Sequence, residues 1–283
     1  MRNLTINEIK KQCIYILKQK NIEDSALKSK VIIANVLKVN KEYLITHDNE
    51  ELEEKIVNKT IQDINELILG QPIQYITKNQ EFYGLNFYVD KNVLIPQPDT
   101  ETLVEEVINI AKKIEEPQIL DLCTGSGAIA ISIKKNIQKA RLTASDISNK
   151  ALEVAKINKE KNNVEIDLIE SDIFKNINQK FNIIVSNPPY IKTDVIYTLD
   201  KEVQKEPKIA LDGGQDGLYF YRIIINEAYK YLDDNGYLCL EIGYNQKEDV
   251  INLIEKSGKY NNIYSKKDLA GNDRIIICNK LVR

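Results

Sequence analysis

Histidine is nearly absent: His47 is the only one in 283 residues. Imidazole triads, HExxH metal sites and histidine acid–base pairs therefore have almost nothing to build on, and His47 itself reads as an ordinary surface residue. Cysteine pairs are missing too, since Cys13, Cys123, Cys239 and Cys278 are scattered with no CxxC spacing. Zinc sites and disulfide frameworks want close pairs, so reduced thiols and no metal are the simpler expectation. No apolar run approaches the ~18–20 residues of a membrane span. The start, Met1-Arg2-Asn3-Leu4, lacks a signal-peptide core. A cytoplasmic protein with no membrane partner is expected. A basic excess is also lacking, because the formal net charge is -3. Nucleic acid is thus not expected as the direct substrate.

What is present is ordinary globular composition, 43% hydrophobic and 29% charged, in a chain long enough for about two domains of ~100–200 residues. Residues 1–76 read as a small all-helical domain. Thr5 and Glu8 have capping-box spacing ahead of a stripe of Ile6, Ile9, Cys13, Ile14 and Leu17. Asp24 or Ser25 is placed to cap a second helix, and residues 50–69 carry a third, stopped by Gly70 and Pro72. Residues 77–97 form a connecting β-hairpin, aromatic-rich around Gly84. Asp99, after Ile95-Pro96-Gln97-Pro98, is placed to cap a helix over 100–113.

Residues 98–283 form the third segment, in which apolar runs alternate with helical patterns. Strands are expected at 119–122, 141–145, 165–169, 181–186, 237–241, 262–264 and 274–278. Helices are expected at 128–135, 148–161, 218–232 and 246–257. That alternation means an α/β fold with a mostly parallel sheet covered on both faces. Only the last two strands, joined by a short loop with Gly271-Asn272, are expected to be antiparallel.

Two constellations carry chemistry. In the first, Asp121-Leu122-Cys123-Thr124-Gly125-Ser126-Gly127 ends a strand and opens a helix, so the backbone can turn tightly and approach a ligand. Further on, Asp146 ends the next strand, where an acidic residue can accept hydrogen bonds from ribose hydroxyls. A dinucleotide would use similar geometry. S-adenosylmethionine suits the details better: Asp121 would repel pyrophosphate but attract a cationic methionine portion, and Asp172 and Ile173 are placed to meet adenine by its edge and ring.

In the second, the apolar strand Ile183-Ile184-Val185-Ser186 runs into Asn187-Pro188-Pro189-Tyr190. Each residue before a proline is held extended. The Asn187 side-chain oxygen and the Pro188 carbonyl then form a rigid acceptor pair for the two donors of an NH2 group. Tyr190 offers a ring face on which a flat amide can stack, beside Pro189. An amide nitrogen is a poor nucleophile, because its lone pair is delocalised. Gripping both N–H bonds fixes that nitrogen and turns the lone pair toward an activated methyl. Positioning of this kind can supply ~7–11 kcal/mol, so scarce histidine is no obstacle.

Together these residues resemble the class I methyltransferases with an NPPY motif. More closely, the chain resembles the release-factor glutamine methyltransferases, the PrmC/HemK family. The likeness runs nearly end to end. It takes in the helical N-terminal domain, Phe82-Tyr83-Gly84, Ile95-Pro96-Gln97-Pro98-Asp99-Thr100-Glu101, the 121–128 loop, NPPY, Glu206-Pro207, Ala210-Leu211-Asp212-Gly213-Gly214 and Asp273-Arg274. The resemblance implies a Rossmann-like, seven-stranded, mostly parallel sheet whose last strand is antiparallel. It also implies S-adenosylmethionine as donor, S-adenosylhomocysteine as product, and the glutamine of a Gly-Gly-Gln tripeptide in peptide-chain release factors as acceptor. The helical domain would then dock the partner. The family usually has arginine where Gln97 stands. Gly213-Gly214-Gln215 repeats the substrate tripeptide, which a glycine-rich loop beside Asp212 produces by coincidence. The same NPPY tetrapeptide can hold the amino group of adenine or cytosine after base flipping, but the acidic balance counts against it. A binding protein with a vestigial site conflicts with the intact loop, Asp146 and NPPY.

Overall fold

The computed structural model describes residues 4–282. The chain divides into two compact units, Met1–Lys78 with Asp200–Lys205, and Asn79–Leu199 with Glu206–Arg283. Among the described residues, no helix is long and apolar enough to cross a membrane.

The smaller unit is helical: α1 (Ile6–Gln19), α2 (Ser25–Leu37), α3 (Tyr43–Thr46), α4 (Glu54–Ile68) and α5 (Ile73–Thr77). The capping box forms as expected. Thr5 accepts from the Glu8 amide at 3.2 Å, and the Glu8 carboxylate accepts from the Thr5 amide at 2.8 Å. Ile6, Ile9, Cys13 and Leu17 are the buried stripe of α1. They pack with Ile32, Ile33, Ile64 and Leu67.

Two details depart from the sequence expectation. Neither Asp24 nor Ser25 caps α2: Asp24 is left-handed at φ 52° with no side-chain cap bond, and the Ser25 hydroxyl donates back to the Ile22 carbonyl. The helix expected from residue 50 begins only at Glu54, because Glu50 to Leu52 lie extended beside the start of α1. Ile6 N donates to Glu50 O at 3.0 Å, and Leu52 N to Leu4 O at 2.8 Å.

The larger unit opens with a hairpin, β1 (Gln80–Phe82) and β2 (Leu85–Phe87), turned by Tyr83 and Gly84, both at positive φ. It continues through α6 (Glu101–Ala111), β3 (Gln118–Leu122), α7 (Ala128–Asn136), β4 (Arg141–Asp146), α8 (Asn149–Lys161), β5 (Asp167–Glu170) and β6 (Phe181–Ser186). Then come α9 (Lys208–Leu211), α10 (Tyr219–Tyr231), β7 (Leu232–Glu241), α11 (Lys247–Ser257), β8 (Tyr260–Lys267) and β9 (Asp273–Lys280). Asp99 is no helix cap. It lies in a 3-10 turn, Pro98–Thr100, and pairs with Arg274 at 3.0 Å.

The seven strands of the main sheet run in the order β5-β4-β3-β6-β7-β9-β8. All neighbours are parallel except β9, which is antiparallel to β7 and β8. This is the fold class the sequence implied. β7 starts earlier than expected, at Leu232, although Asn235-Gly236 looks like a turn. β8 extends well beyond 262–264; as an edge strand with partly exposed residues along much of its length, it lacks the apolar run that marks the central strands. The central strands β3 and β6 are buried almost throughout. Strand order reverses between β3's neighbours β4 and β6, which opens a crevice at the carboxyl ends of the strands. Asp121, Asp146, Asn187 and Glu241 lie at or just beyond those ends.

Candidate active site

The loop after β3 is held in shape by its own polar groups and by those of β4 and α8. Cys123, Gly125 and Gly127 have φ values of 60°, 54° and 80°, left-handed positions that glycine tolerates at little cost and cysteine does not. Thr124 N donates to Ser145 O at 3.0 Å, and Gly127 N to Thr124 O at 2.9 Å. Beneath them lies Asp121, with no solvent exposure. Its Oδ2 accepts from the Thr124 hydroxyl at 2.6 Å and from the Ala130 amide at 3.2 Å. Burial pushes its carboxyl up to about 7, against those two hydrogen bonds.

Asp121 thus pins the loop from beneath, and its Oδ1 is buried with no hydrogen-bond partner among the described residues. Thr124 and Ser126 are buried with it. Gly127 serves packing: a Cβ there would meet Ile131 at 3.0 Å and Ala155 at 3.2 Å. Cys123 and Gly125 alone of this loop line the cavity.

That cavity has a volume of about 270 Å³. Asp146 sits in its wall with both carboxylate oxygens engaged. Oδ2 accepts from Gly125 N and Oδ1 from Ser148 N, each at 2.9 Å. Burial raises its pKa, and these backbone donors oppose the rise. Asp172 and Ile173 line the same space, Ile173 at φ 49°. Ala210, Tyr219 and Phe220 supply apolar surface opposite.

Asn187 and Pro189 also line the cavity, so β6 brings the second constellation to the first. Pro188 is buried. Tyr190 follows them and is not among the residues that line the cavity. Its ring packs against the core of the larger unit, and its hydroxyl lies beside Arg274, with burial raising its pKa strongly. The tetrapeptide is gripped from outside. A Cβ on Gly213 would come within 2.7 Å of the Tyr190 Cα, and one on Gly217 within 2.5 Å of the Tyr190 carbonyl. Gln246 closes the arrangement. Its Nε2 donates to Tyr190 O at 3.0 Å and Gly217 O at 3.2 Å, while its Oε1 accepts from Gly243 N at 2.9 Å.

Further polar groups surround Asn187 that the sequence reading did not place in the site. Asn187 Nδ2 donates to the Thr100 hydroxyl at 3.3 Å. Glu241, 2% exposed at the end of β7, has its carboxyl raised by burial to about 7, with Thr100 and Asn187 as hydrogen-bonding groups that favour its charge. Arg274 donates twice to Asp268 Oδ2, each at 3.0 Å, and reaches Asp99. Gln97, where the family usually has arginine, is exposed, and its amide folds back onto the Ile95 carbonyl at 3.0 Å. The one available signal for Glu241 was its position, an acid closing an apolar strand beside two other strand-end acids.

Residues 8–77 match the PrmC N-terminal domain, and residues 98–215 match the methyltransferase small domain. The release factor glutamine methyltransferase of Fusobacterium nucleatum is 40% identical over 98% of this chain and 79% of its own. That of Clostridium acetobutylicum is 41% identical over 93% of this chain and 94% of its own. Among solved structures, the 16S rRNA N2 G1207 methyltransferase of T. thermophilus, in complex with AdoMet and guanosine, aligns with a TM-score of 0.52. At 16% identity over 72% of this chain and 50% of that one, it shares the fold alone. With relatives this close over nearly the whole length, the chain belongs to the release factor glutamine methyltransferase family.

Proposed function

We propose that the chain transfers a methyl group from S-adenosylmethionine to the side-chain amide nitrogen of the glutamine in the Gly-Gly-Gln tripeptide of peptide-chain release factors, leaving S-adenosylhomocysteine. One observation carries the reading: Asn187, at the rigid end of β6, shares a cavity with Asp146 and the glycine loop.

The residues present fit this donor better than a dinucleotide. A pyrophosphate needs free backbone donors at the loop. Here Thr124 N, Gly125 N and Gly127 N are already bonded to Ser145 O, Asp146 Oδ2 and Thr124 O. The same wall carries the Asp146 and Asp172 carboxylates, which repel an anion and attract a cation. Asp146 would take the ribose hydroxyls on lone pairs its two backbone donors leave free. Asp172 and Ile173 would meet adenine, and Cys123 and Gly125 allow close backbone approach. Bound there, S-adenosylmethionine supplies a methyl group on a sulfonium, and the residues need no metal to use it.

The protein's own part is positioning. The Asn187 oxygen and the Pro188 carbonyl accept the two N–H bonds of the glutamine amide, which fixes the nitrogen and leaves its lone pair free to face the methyl. Pro189 gives that nitrogen an apolar wall. Tyr190 supports the tetrapeptide from behind. The proton shed after transfer needs no dedicated base, because an N-alkylated amide that has not yet lost it is strongly acidic. The helical unit, which exposes Tyr15, Ile45 and Leu69, would serve as the docking surface for the release factor, in the cytoplasm.

The test incubates the chain with methyl-labelled S-adenosylmethionine and either a release factor or DNA. Mass spectrometry should place one methyl on the tripeptide glutamine. Label on DNA bases with none on the release factor overturns the reading. Removing residues 1–69 should weaken release-factor methylation and leave donor affinity intact; unchanged methylation rejects the docking role.

A further inference from the structure

A planar amide has no inherent preference for which end faces a ligand. Its oxygen and its NH2 group are nearly the same shape, and only neighbouring hydrogen bonds decide between them. The proposed function needs the Asn187 oxygen in the cavity, since an NH2 group there would meet the substrate's NH2 donor to donor. Something behind Asn187 must therefore bind its nitrogen and reject its oxygen.

We propose that Glu241 does this: resting on the reading of Asn187 given above, it is a positioning residue that, with Thr100, holds the NH2 end of Asn187 inward so that the oxygen faces the substrate. The geometry comes from three separate segments. Asn187 Nδ2 donates to Thr100 Oγ1 at 3.3 Å, so the Thr100 hydroxyl hydrogen is left to donate onward. Glu241 is the buried acceptor within reach of both side chains. Its Oε2 has no hydrogen-bond partner in the protein, so this carboxylate is not part of a closed structural ion pair. Tyr221 on α10 donates to the Glu241 main-chain carbonyl at 2.9 Å, which fixes the strand end.

An ionised carboxylate only accepts, so it favours N–H pointing at it. A protonated one can donate to the Asn187 oxygen, which favours the flipped amide and a donor facing the cavity. The charge on Glu241 therefore sets which end of Asn187 the substrate meets. The groups facing Glu241 are Arg274 from β9, which favours its charge, Asp99 from the 3-10 turn, which opposes it, and the hydroxyls of Tyr190 and Tyr221. Burial dominates and places the transition at about 7, so turnover should rise with pH through neutrality.

The test uses the full chain, a release factor and labelled S-adenosylmethionine. Turnover of the wild type should climb between about pH 6 and pH 8. Glu241→Gln, which can present an NH2 group to the Asn187 oxygen, should lower kcat by at least about tenfold at the upper end and erase the climb. Calorimetric affinity for S-adenosylmethionine should stay within about twofold of wild type. Glu241→Asp should recover part of the rate and the pH dependence, which a merely structural role would not produce. Wild-type kcat with an unchanged profile in Glu241→Gln overturns the inference. Should that variant not fold, a wild-type profile flat across the same range overturns it. Asn187→Ala, run in parallel, separates the two levels. If it keeps full turnover, the reading of Asn187 falls and this inference with it; if its kcat falls while that of Glu241→Gln stays at the wild-type value, only this inference falls.

Discussion

The loop after β3 and the tetrapeptide after β6 lie side by side at the same edge of one sheet, yet they are held by different parts of the chain. The first is braced from beneath by Asp121 and from the side by the strand and helix that come next in this half of the sheet. Ser145 and Asp146 of β4 accept from Thr124 N and Gly125 N, and Asn158 of α8 donates to Ser126 O. The second makes few bonds of its own, since Pro188 and Pro189 have no N–H to give. It is held by glycines 213 and 217 and by Gln246, which come from two later segments. A cofactor loop braced by the strand and helix just after it should tolerate mutation in the later segments. A substrate clamp assembled from afar should not.

The largest expected effect tests the clamp directly. Asn187→Ala removes one preorganised contact to the reacting amide and should lower kcat roughly 10²–10³-fold while donor affinity holds. Turnover near wild type in a steady-state assay would remove Asn187 from its role. On the loop side, Asp146→Ala should weaken S-adenosylmethionine binding by ~1.5–3 kcal/mol, as loss of a charged acceptor does, with little change in kcat at saturating donor. Equal loss of kcat and affinity would dissolve the division of labour between the two strand ends.

Smaller, but more diagnostic of remote support, is Gly217→Ala. A methyl there meets the Tyr190 carbonyl at 2.5 Å and Gln246 Nε2 at 2.8 Å, on a backbone at φ 75°. Overpacking of this sort costs about 1–3 kcal/mol. Chemical denaturation should show that loss, together with lower turnover and unchanged donor affinity. The same substitution at Gly125, where a Cβ meets nothing within 4 Å, should spare turnover at saturating donor and act only through the strained φ of 54°. If both variants behaved alike, the contrast between local and remote support would be lost.

The asymmetry also explains what could be read from the sequence. The main sheet was legible because its strands are short apolar runs separated by periodic helices. Gly125, Asp146, Asp172 and Asn187 were legible because strand ends in such a sheet face one crevice. The bracing role of Asp121 was not legible: one residue before a loop, sequence cannot tell a side chain that points into the crevice from one that points under it. The partner of the Tyr190 hydroxyl was not legible, because Arg274 lies on the last strand. Thr100, Glu241 and Gln246 are isolated polar residues in unrelated segments, joined only by the fold. The start of α4 failed the same way, since the pairing of Leu52 with Leu4 is invisible locally.

The smallest effect at neutral pH concerns Asp146, which ends β4, braces the loop through Gly125 N and lines the cavity. To accept ribose hydroxyls its carboxylate must be charged, and burial holds its pKa above the ordinary 3.8 despite the amides of Gly125 and Ser148. The sign follows: protonation competes with donor binding as pH falls through the raised value, and the loss begins at a higher pH than an exposed aspartate would allow. Below that value, affinity should fall about tenfold per pH unit. Above it, affinity should be flat. Asp146→Asn keeps the shape but cannot titrate, so its affinity should be lower at neutral pH and independent of acidification over the same range. Calorimetric titration of S-adenosylmethionine against both proteins decides this. A wild type whose affinity ignores acid down to the limit of folding would show that the ribose is held elsewhere, and that the Asp146 carboxylate serves only to brace the loop.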